Sequence, residues 1–429
     1  MPGTGTGQAI TTADHPPRAA GVGPARLLDV TRLASRAGRV QTGIDRVEAA
    51  WLDALLANEA PLWGLARIAA GYVLLDRAGL QALRDRLIGA APWGRPHPLF
   101  RLARRLTLQQ QGAQSDLWRA ARVTCLRAGL GAMLRRHLPA GLIYLNIGHS
   151  NLTPRVMQAV RGVPQARVTV FLHDTIPLDF PQFQRPGSVA RFRALLDSAT
   201  QADLILCNSR ATEADLRRHM PAPPAIHAVP LGVTMPAPDP AALTTQCPQM
   251  PPKAPYFLVT GTIEPRKNHA LLLDVWQALA DKLPEDHMPA LLICGSRGWA
   301  NEALFHRLDT SPLMGRHVFE LPGLDDSALA ALTAGARACL FPSLAEGYGL
   351  PAAEAAAAGR PLICSDLAVL REILKDYPVY LPASDLRGWT ETIEEQVKQG
   401  TGIVNSSISG HHYRPHGWRD HFFVALKLT

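Results

Sequence analysis

Two short stretches combine residue types that can handle an anionic ligand. The first, Gly261-Thr262-Ile263-Glu264-Pro265-Arg266-Lys267-Asn268, follows the apolar run Tyr256–Thr260. Gly261 permits a sharp turn and lets a ligand approach the backbone closely. Arg266 and Lys267 then set a forked guanidinium beside an ammonium, a pairing suited to clamping a diphosphate. Taken alone, these residues equally describe a solvated basic turn ahead of a helix. The second stretch runs from Phe341 through Glu346-Gly347-Tyr348-Gly349-Leu350-Pro351-Ala352-Ala353-Glu354. Pro351 suits the first position of a helix. The unsatisfied N–H groups around Gly349 and Leu350 would meet an anion with the positive end of the helix dipole. Glu354, three residues after Pro351, can accept hydrogen bonds from vicinal hydroxyls such as those of a ribose. Glu346, in the loop, faces the other side of the same ligand. The plainer readings are dipole complementation for Glu354 and an exposed loop carboxylate for Glu346.

Three further clusters lie in the first half. Val170–Leu178 places His173 and Asp174 just past an apolar run. Ile147-Gly148-His149-Ser150-Asn151 follows another such run. Thr42-Gly43-Ile44-Asp45-Arg46 opens a helix whose N–H groups could meet a phosphate of donor or acceptor. Each also reads as a loop or capping feature. Asn208-Ser209 and Pro230-Leu231-Gly232-Val233 stand at similar strand ends. The pair His411-His412 lacks a carboxylate or thiol set, so no metal site is expected. The six cysteines form no CxxC pair and read as buried free thiols of a reducing compartment.

Regular alternation of strands and helices must position these clusters. Before residue 237, strands are expected at 27–30, 142–147, 167–172, 203–207 and 226–229, with a strand or hairpin within 62–75. Helices are expected at 43–56, 154–160, 189–198 and 211–219, and an Arg-rich helical stretch at 99–137. After residue 255 the alternation restarts, with strands at 256–260, 290–294, 318–321, 338–341 and 361–364. Helices fall between them at 270–279, 301–308, 325–334 and 351–358, and a last one at 368–374. Such alternation makes parallel sheets covered on both faces. Seven prolines between Pro236 and Pro255 interrupt all periodicity. The chain therefore divides into a leader at 1–25, a doubly wound domain at 26–237, a linker at 238–255, a second doubly wound domain at 256–400, and a tail at 401–429. In such domains ligands bind at the carboxyl ends of the strands, where every cluster above lies.

Charge is distributed unevenly. Residues 1–237 hold 28 Arg, no Lys and 15 acidic residues, a net +13, and the remainder of the chain is net −5. A basic first half suits an anionic partner such as lipid headgroups or a phosphorylated acceptor. Arginine stems covering apolar surface are the plainer account. No run reaches the roughly 18 apolar residues of a membrane span, and the first 25 residues lack the apolar stretch of a secretory signal. A cytoplasmic protein is expected, peripheral to the inner face of the membrane if the basic half meets lipid.

The motifs as a set resemble those of retaining glycosyltransferases of the GT-B family 4, also called glycosyl transferases group 1, which include bacterial mannosyl- and glucosyltransferases for surface polysaccharides. That family carries two glutamates separated by seven residues, as Glu346 and Glu354 are, and an Arg-Lys diphosphate clamp, as at Arg266-Lys267. The resemblance implies an α/β chain of GT-B architecture, two Rossmann-like domains facing each other across a cleft. It implies that Glu354 binds the nucleotide ribose, that Glu346 contacts the transferred sugar, and that Arg266 and Lys267 neutralise the leaving diphosphate. His173 resembles the family's cleft histidine. Gly261, Gly347, Tyr348, Gly349 and Leu350 are expected to complete the donor side, and the clusters of the first half offer Gly43, Gly148, His149 and Asp174 as candidates for the acceptor side. Gly417-Trp418-Arg419 and the apolar run after it resemble the family's last helix, which packs back on the first domain.

The expected reaction is transfer of a hexosyl group, mannosyl from GDP-mannose by preference, to a saccharide or polyprenyl-diphosphate-linked acceptor, with no metal or other cofactor. Two alternatives share the architecture: a nucleotide-sugar epimerase and a non-catalytic nucleotide-sugar-binding protein. Nucleic acid is not an expected partner, because the arginines lack interleaved aromatics or a recognised motif.

Overall fold

A computed structural model describes residues 23–39, 41–101, 103, 105–398 and 413–429. The leader up to residue 22, Arg104 and the His411-His412 pair lie outside the described residues.

Two sheets organise the chain. The first has eight strands in the order β4-β3-β2-β1-β5-β6-β7-β8. These are β1 Arg26–Asp29, β2 Leu62–Ile68, β3 Gly71–Leu75, β4 Val123–Cys125, β5 Ile143–Asn146, β6 Arg167–Leu172, β7 Leu204–Cys207 and β8 Ala225–Ala228. The second has six strands in the order β11-β10-β9-β12-β13-β14. These are β9 Tyr256–Thr260, β10 Ala290–Cys294, β11 Val318–Glu320, β12 Ala338–Phe341, β13 Leu362–Ser365 and β14 Val379–Leu381. Pairing is parallel throughout the second sheet. In the first, β2–β3 and β3–β4 are antiparallel. The hairpin option for residues 62–75 is the one adopted. The continuous helical stretch expected over 99–137 is not: helices Leu108–Ala120 and Leu130–His137 flank β4, which completes that antiparallel edge. Leucine spacing suggested an unbroken helix, but Val123-Thr124-Cys125 has β-branched residues beside an open sheet edge, and pairing there wins.

The central strands are apolar runs buried on both faces. Phe257, Leu258 and Val259 of β9 and Leu291, Leu292 and Ile293 of β10 are all buried. Trp276 and Trp389 fill the space between sheet and helices without orphaning their indole N–H groups, which donate to the carbonyls of Pro289 and Pro382 at 3.0 Å. The Pro-rich segment after residue 237 is partly helical, at Pro240–Gln246, because Asp239 caps the amides of Ala241 and Ala242. That helix lies on helix Asp326–Gly335, with Gln246 donating to Asp325 at 2.6 Å.

Several contacts tie the two sheets into one molecule. Glu372 of helix Ala368–Leu374 accepts the backbone amides of Arg210 and Ala211 at 2.8 and 3.0 Å, capping helix Arg210–His219 of the first domain. The Tyr348 hydroxyl donates to the Leu231 carbonyl at 3.0 Å. Helix Trp418–Leu428 lies against the first domain: His421 and Phe422 meet the Trp51 ring edge-on, at 5.7 and 5.4 Å. The Trp418 indole donates to the Thr234 hydroxyl at 2.9 Å.

All six cysteines are free, and no described helix is long and apolar enough to cross a membrane.

Two predictions follow from the core. Leu258 is fully buried in the middle of β9, and Leu258→Ala is expected to cost about 2–5 kcal/mol in urea unfolding; a cost under 1 kcal/mol would refute tight packing there. His269 is buried with both ring nitrogens unpartnered, and burial, aided by Lys267, lowers its pKa to about 4. The unfolded chain therefore takes up this proton first as pH falls from 6.5, so the stability tied to neutral His269 is lost progressively between 6.5 and 4. Other groups titrate in that window, so the diagnostic is a difference in melting temperature. His269→Leu should gain on the unsubstituted protein as pH falls from 7 to 4.5, and parallel profiles would refute the assignment.

Candidate active site

The site is assembled at the place where strand order reverses. In the second sheet β9 lies between β10 and β12, so its carboxyl end opens into the crevice left by connections that leave in opposite directions. The loop after β9 carries Gly261 to Asn268, and the loop after β12 carries Pro342 to Gly349. The two are stitched together by backbone and amide bonds: Leu344 N–H to the Arg266 carbonyl at 2.7 Å, and the Asn268 side chain to the Pro342 and Ala383 carbonyls at 3.1 and 3.0 Å. Asn268 adopts a left-handed conformation that turns the short 3-10 segment Pro265–Lys267 into helix His269–Ala280.

Glu346 sits at the centre. Its carboxylate receives Lys267 Nζ at 2.5 Å, Ser343 Oγ at 2.6 Å and Arg266 Nη1 at 3.1 Å. The side chain is only 6% exposed. Burial by itself would raise its pKa; Lys267 and Arg266 outweigh that and hold it down to about 2. Arg266 also pairs with buried Glu264 at 2.8 Å. Burial lowers the Lys267 pKa, against the pull of Glu346. The expected juxtaposition of Glu346, Arg266 and Lys267 is thus present, but Glu346 is a buried, fully paired anion, and the exposed loop carboxylate is not what the structure holds.

The same loop then starts helix Leu350–Ala357. Gly349 has φ 86°, and a Cβ there would meet the Leu370 side chain at 2.5 Å, so only glycine serves. No side chain caps this helix start, which leaves its first amides available as donors. Glu354 lies just past the first turn, facing Arg46 of the first domain. Burial pushes its pKa up to about 7, with Arg46 lowering it and Asp326 raising it.

The first domain brings His173, His149 and Asp174 to the same cleft. His173 Nε2 lies 2.8 Å from the Ile147 carbonyl and donates to it. That bond fixes the tautomer and leaves Nδ1 as the acceptor nitrogen. Burial lowers the pKa of His173 to about 4, so the ring is neutral. The His149 ring stands 4.9 Å from that of His173, and Gly148 packs on the Glu48 carboxylate. Asp174 faces Arg266 and Glu346 and lies against Gly347. A Cβ on Gly347 would sit 3.0 Å from the His173 carbonyl, so this glycine permits a close approach of the two domains. Asp174 therefore borders the loop that carries Glu346. At the other end of the cleft the helix starts of the two domains come close: a Cβ on Gly43 would sit 3.5 Å from the Leu350 side chain.

Several members of the site had no role in the sequence reading. Ser343 and Glu264 lie inside the quoted motifs, three residues before Glu346 and two before Arg266, and such short offsets are a usable local signal. The contacts of Arg46 with Glu354 and Asp326 had none, since these partners are 308 and 280 residues away in sequence. Among the described residues, no group of three or more His, Cys, Asp or Glu could hold a metal ion.

Residues 246–399 match the family described as Glycosyl transferases group 1. Over 238 residues the chain is 30% identical to the serotype-specific mannosyltransferase WbdA of Escherichia coli, a match covering 52% of this chain and 29% of that protein. It is 34% identical over 133 residues to O-antigen chain mannosyltransferase B of Escherichia coli, covering 30% of this chain and 34% of the relative. The chain therefore spans about a third of the length of these relatives. Among solved structures, HepE of Anabaena in complex with UDP-glucose superposes with a TM-score of 0.63 at 13% identity, over 94% of this chain and 99% of that one. Sucrose-phosphate synthase from Thermosynechococcus elongatus gives 0.58 at 17% identity, over 94% and 98%. At these identities the superpositions speak for the fold alone. The chain has the GT-B fold, and its residues 246–399 are similar to the glycosyl transferases group 1 family.

Proposed function

We propose that this chain is a retaining glycosyltransferase. It moves a hexosyl group, mannosyl by preference, from a nucleoside diphosphate sugar to a saccharide or polyprenyl-diphosphate-linked saccharide of a cell-surface polysaccharide. The observation that carries this reading is the buried Lys267–Glu346–Arg266 cluster beside the uncapped start of helix Leu350–Ala357. Two fixed cations and a set of free amides make a preorganised environment for a departing diphosphate. Glu354, one helical turn further along, accepts the ribose hydroxyls. The preference for GDP-mannose rests on the likeness to mannosyltransferases.

In the step itself, the bond from the anomeric carbon to the diphosphate oxygen breaks, and a bond to the acceptor oxygen forms on the same face. The acceptor proton passes to the departing phosphate oxygen. Arg266 and Lys267 stabilise the negative charge that develops there. Glu346, ionised and immobilised by three partners, presents a fixed negative charge to the sugar. Neutral His173 offers Nδ1 to a sugar hydroxyl. No side chain is required as a covalent nucleophile, and no metal is invoked.

The acceptor is proposed to lie at an anionic membrane surface. Arg101, Arg105, Arg119, Arg122 and Arg135 are exposed, and exposed Leu99, Leu108 and Leu126 lie among them in sequence. Basic residues over apolar ones suit an anionic lipid face.

Calorimetry with GDP-mannose, UDP-glucose and their nucleoside diphosphates should find GDP-mannose the tightest, and absence of binding by any of them would overturn the donor assignment. With the preferred donor and a lipid-linked saccharide, Lys267→Ala and Glu346→Gln should each lower turnover by roughly 10²–10³ while circular dichroism stays native. Full turnover in either variant would refute its role. Sedimentation with vesicles at low salt should recover more protein with anionic than with neutral lipid, and equal recovery would sink the membrane proposal.

A further inference from the structure

Arg46 belongs to the first domain, but its partners belong to the second. Its Nη1 donates to Glu354 Oε1 at 2.9 Å, and its Nη2 pairs with Asp326. The root of this side chain is held firmly. Asp45, next to it and 1% exposed, accepts the Thr42 amide at 2.7 Å, the Thr42 hydroxyl at 2.8 Å, Arg32 Nε at 2.7 Å and Arg36 Nε at 3.1 Å. That network pins the first turn of helix Gly43–Ala57, where a Cβ on Gly43 would come within 3.5 Å of the Leu350 side chain. The Arg46 guanidinium therefore reaches Glu354 from a rigid base, and it does so only when the two domains stand as closely as they do here.

A carboxylate has two oxygens, and Arg46 engages one of them. Oε2 of Glu354 carries no bond to Arg46. Among the described residues no hydrogen bond to this oxygen is present, so it can accept a hydroxyl donor from a ligand lying along the helix start. The charged groups facing Glu354 are Arg46, on helix Gly43–Ala57, and Asp326, at the start of helix Asp326–Gly335. Arg46 favours the ionised carboxylate and Asp326 opposes it. Without the guanidinium, this largely buried glutamate would keep its proton to a higher pH and offer ribose a weaker, uncharged acceptor over more of the neutral range.

We propose that Arg46 is a positioning residue for nucleotide recognition: it crosses the cleft to orient Glu354 and favour its charged form, so the second domain's ribose acceptor is complete only when the first domain closes on it. The role rests on the donor-site reading of Glu354 given above. It makes recognition of the ribose a property of both domains, although the ribose carboxylate belongs to one.

The test measures binding of GDP and of 2′,3′-dideoxy-GDP by calorimetry between pH 5.5 and 8.5, or of the corresponding uridine pair if UDP binds more tightly. The dideoxy nucleotide shares the phosphate titration and lacks the hydroxyls, so the ratio of the two affinities isolates the ribose contact. In the unsubstituted protein this ratio should rise as pH increases through about 7, where Glu354 ionises. Arg46→Gln should reduce the ratio roughly tenfold at pH 7 and move the rise to higher pH. Asp326→Asn should move it to lower pH, and Arg46→Lys should restore part of the ratio. Thermal melts of each variant check folding. A purely structural role for Arg46 would weaken both nucleotides alike and leave the pH profile in place, which would overturn the proposal. Tighter binding of GDP by Arg46→Gln would overturn it too, since the arginine would then be a competitor for Glu354. If Glu354→Gln abolishes the preference for ribose while Arg46→Gln does not, the donor site stands and the role of Arg46 falls. If no nucleoside diphosphate binds the unsubstituted protein, both fall.

Discussion

Everything at the cleft depends on one buried carboxylate kept charged. Removing an ionised glutamate from water costs several kcal/mol unless opposing charges and hydrogen bonds compensate. Glu346 meets that demand with Lys267, Arg266 and Ser343, drawn from two loops that are about 80 residues apart in sequence. The charge thereby acts as a tie between loops. Neither the turn after β9 nor the loop after β12 can move alone without stranding a buried ion. The cations are held equally firmly, since Arg266 is also bound by Glu264. A diphosphate would thus meet groups whose orientation is already set, and little reorganisation is needed when charge develops.

The second consequence concerns the domains. Their junction is made of polar contacts at specific points: Glu372 on the start of helix Arg210–His219, Tyr348 on the Leu231 carbonyl, and Arg46 on Glu354. Helix Trp418–Leu428 adds an apolar clasp by returning to Trp51. Two of these contacts involve the stretch from Glu346 to Glu354, which carries the buried carboxylate and the uncapped helix start. Tyr348 and Glu354 lie on either side of the helix start, so that start is held from both ends by the first domain. A site built this way couples its own geometry to domain position, because residues of the Glu346–Glu354 stretch also make the interdomain contacts.

Electrostatics at the two glutamates diverge for a physical reason. Glu346 has two cations and a hydroxyl and is held near 2; Glu354 has one cation, opposed by Asp326, and burial carries it to about 7. Identical side chains eight positions apart therefore present different acceptors at neutral pH: one a permanent anion locked to its neighbours, the other sensitive to whichever group stands beside it.

Much of this was legible in the residues alone. Apolar runs at regular spacing identified most strands, because a parallel strand buried on both faces has to be apolar along its length. Gly349 followed by Pro351 marked the helix start, because few other residues tolerate that backbone. The Glu346–Glu354 spacing and the Arg266-Lys267 pair were recognisable since each is local. The edge strand Val123–Cys125 was not, because edge pairing depends on which partner lies open beside it, and leucine periodicity on either side pointed to helix. Nor could the sequence assign Arg46, whose partners are hundreds of residues away, or tell that Glu346 is a buried ion and not an exposed one. By itself the sequence determined the alternating architecture and the chemical types gathered at the strand ends. Tertiary structure alone decided which charges meet, how deeply they are buried, and therefore which are ionised, because those depend on distances between segments that the chain order does not encode.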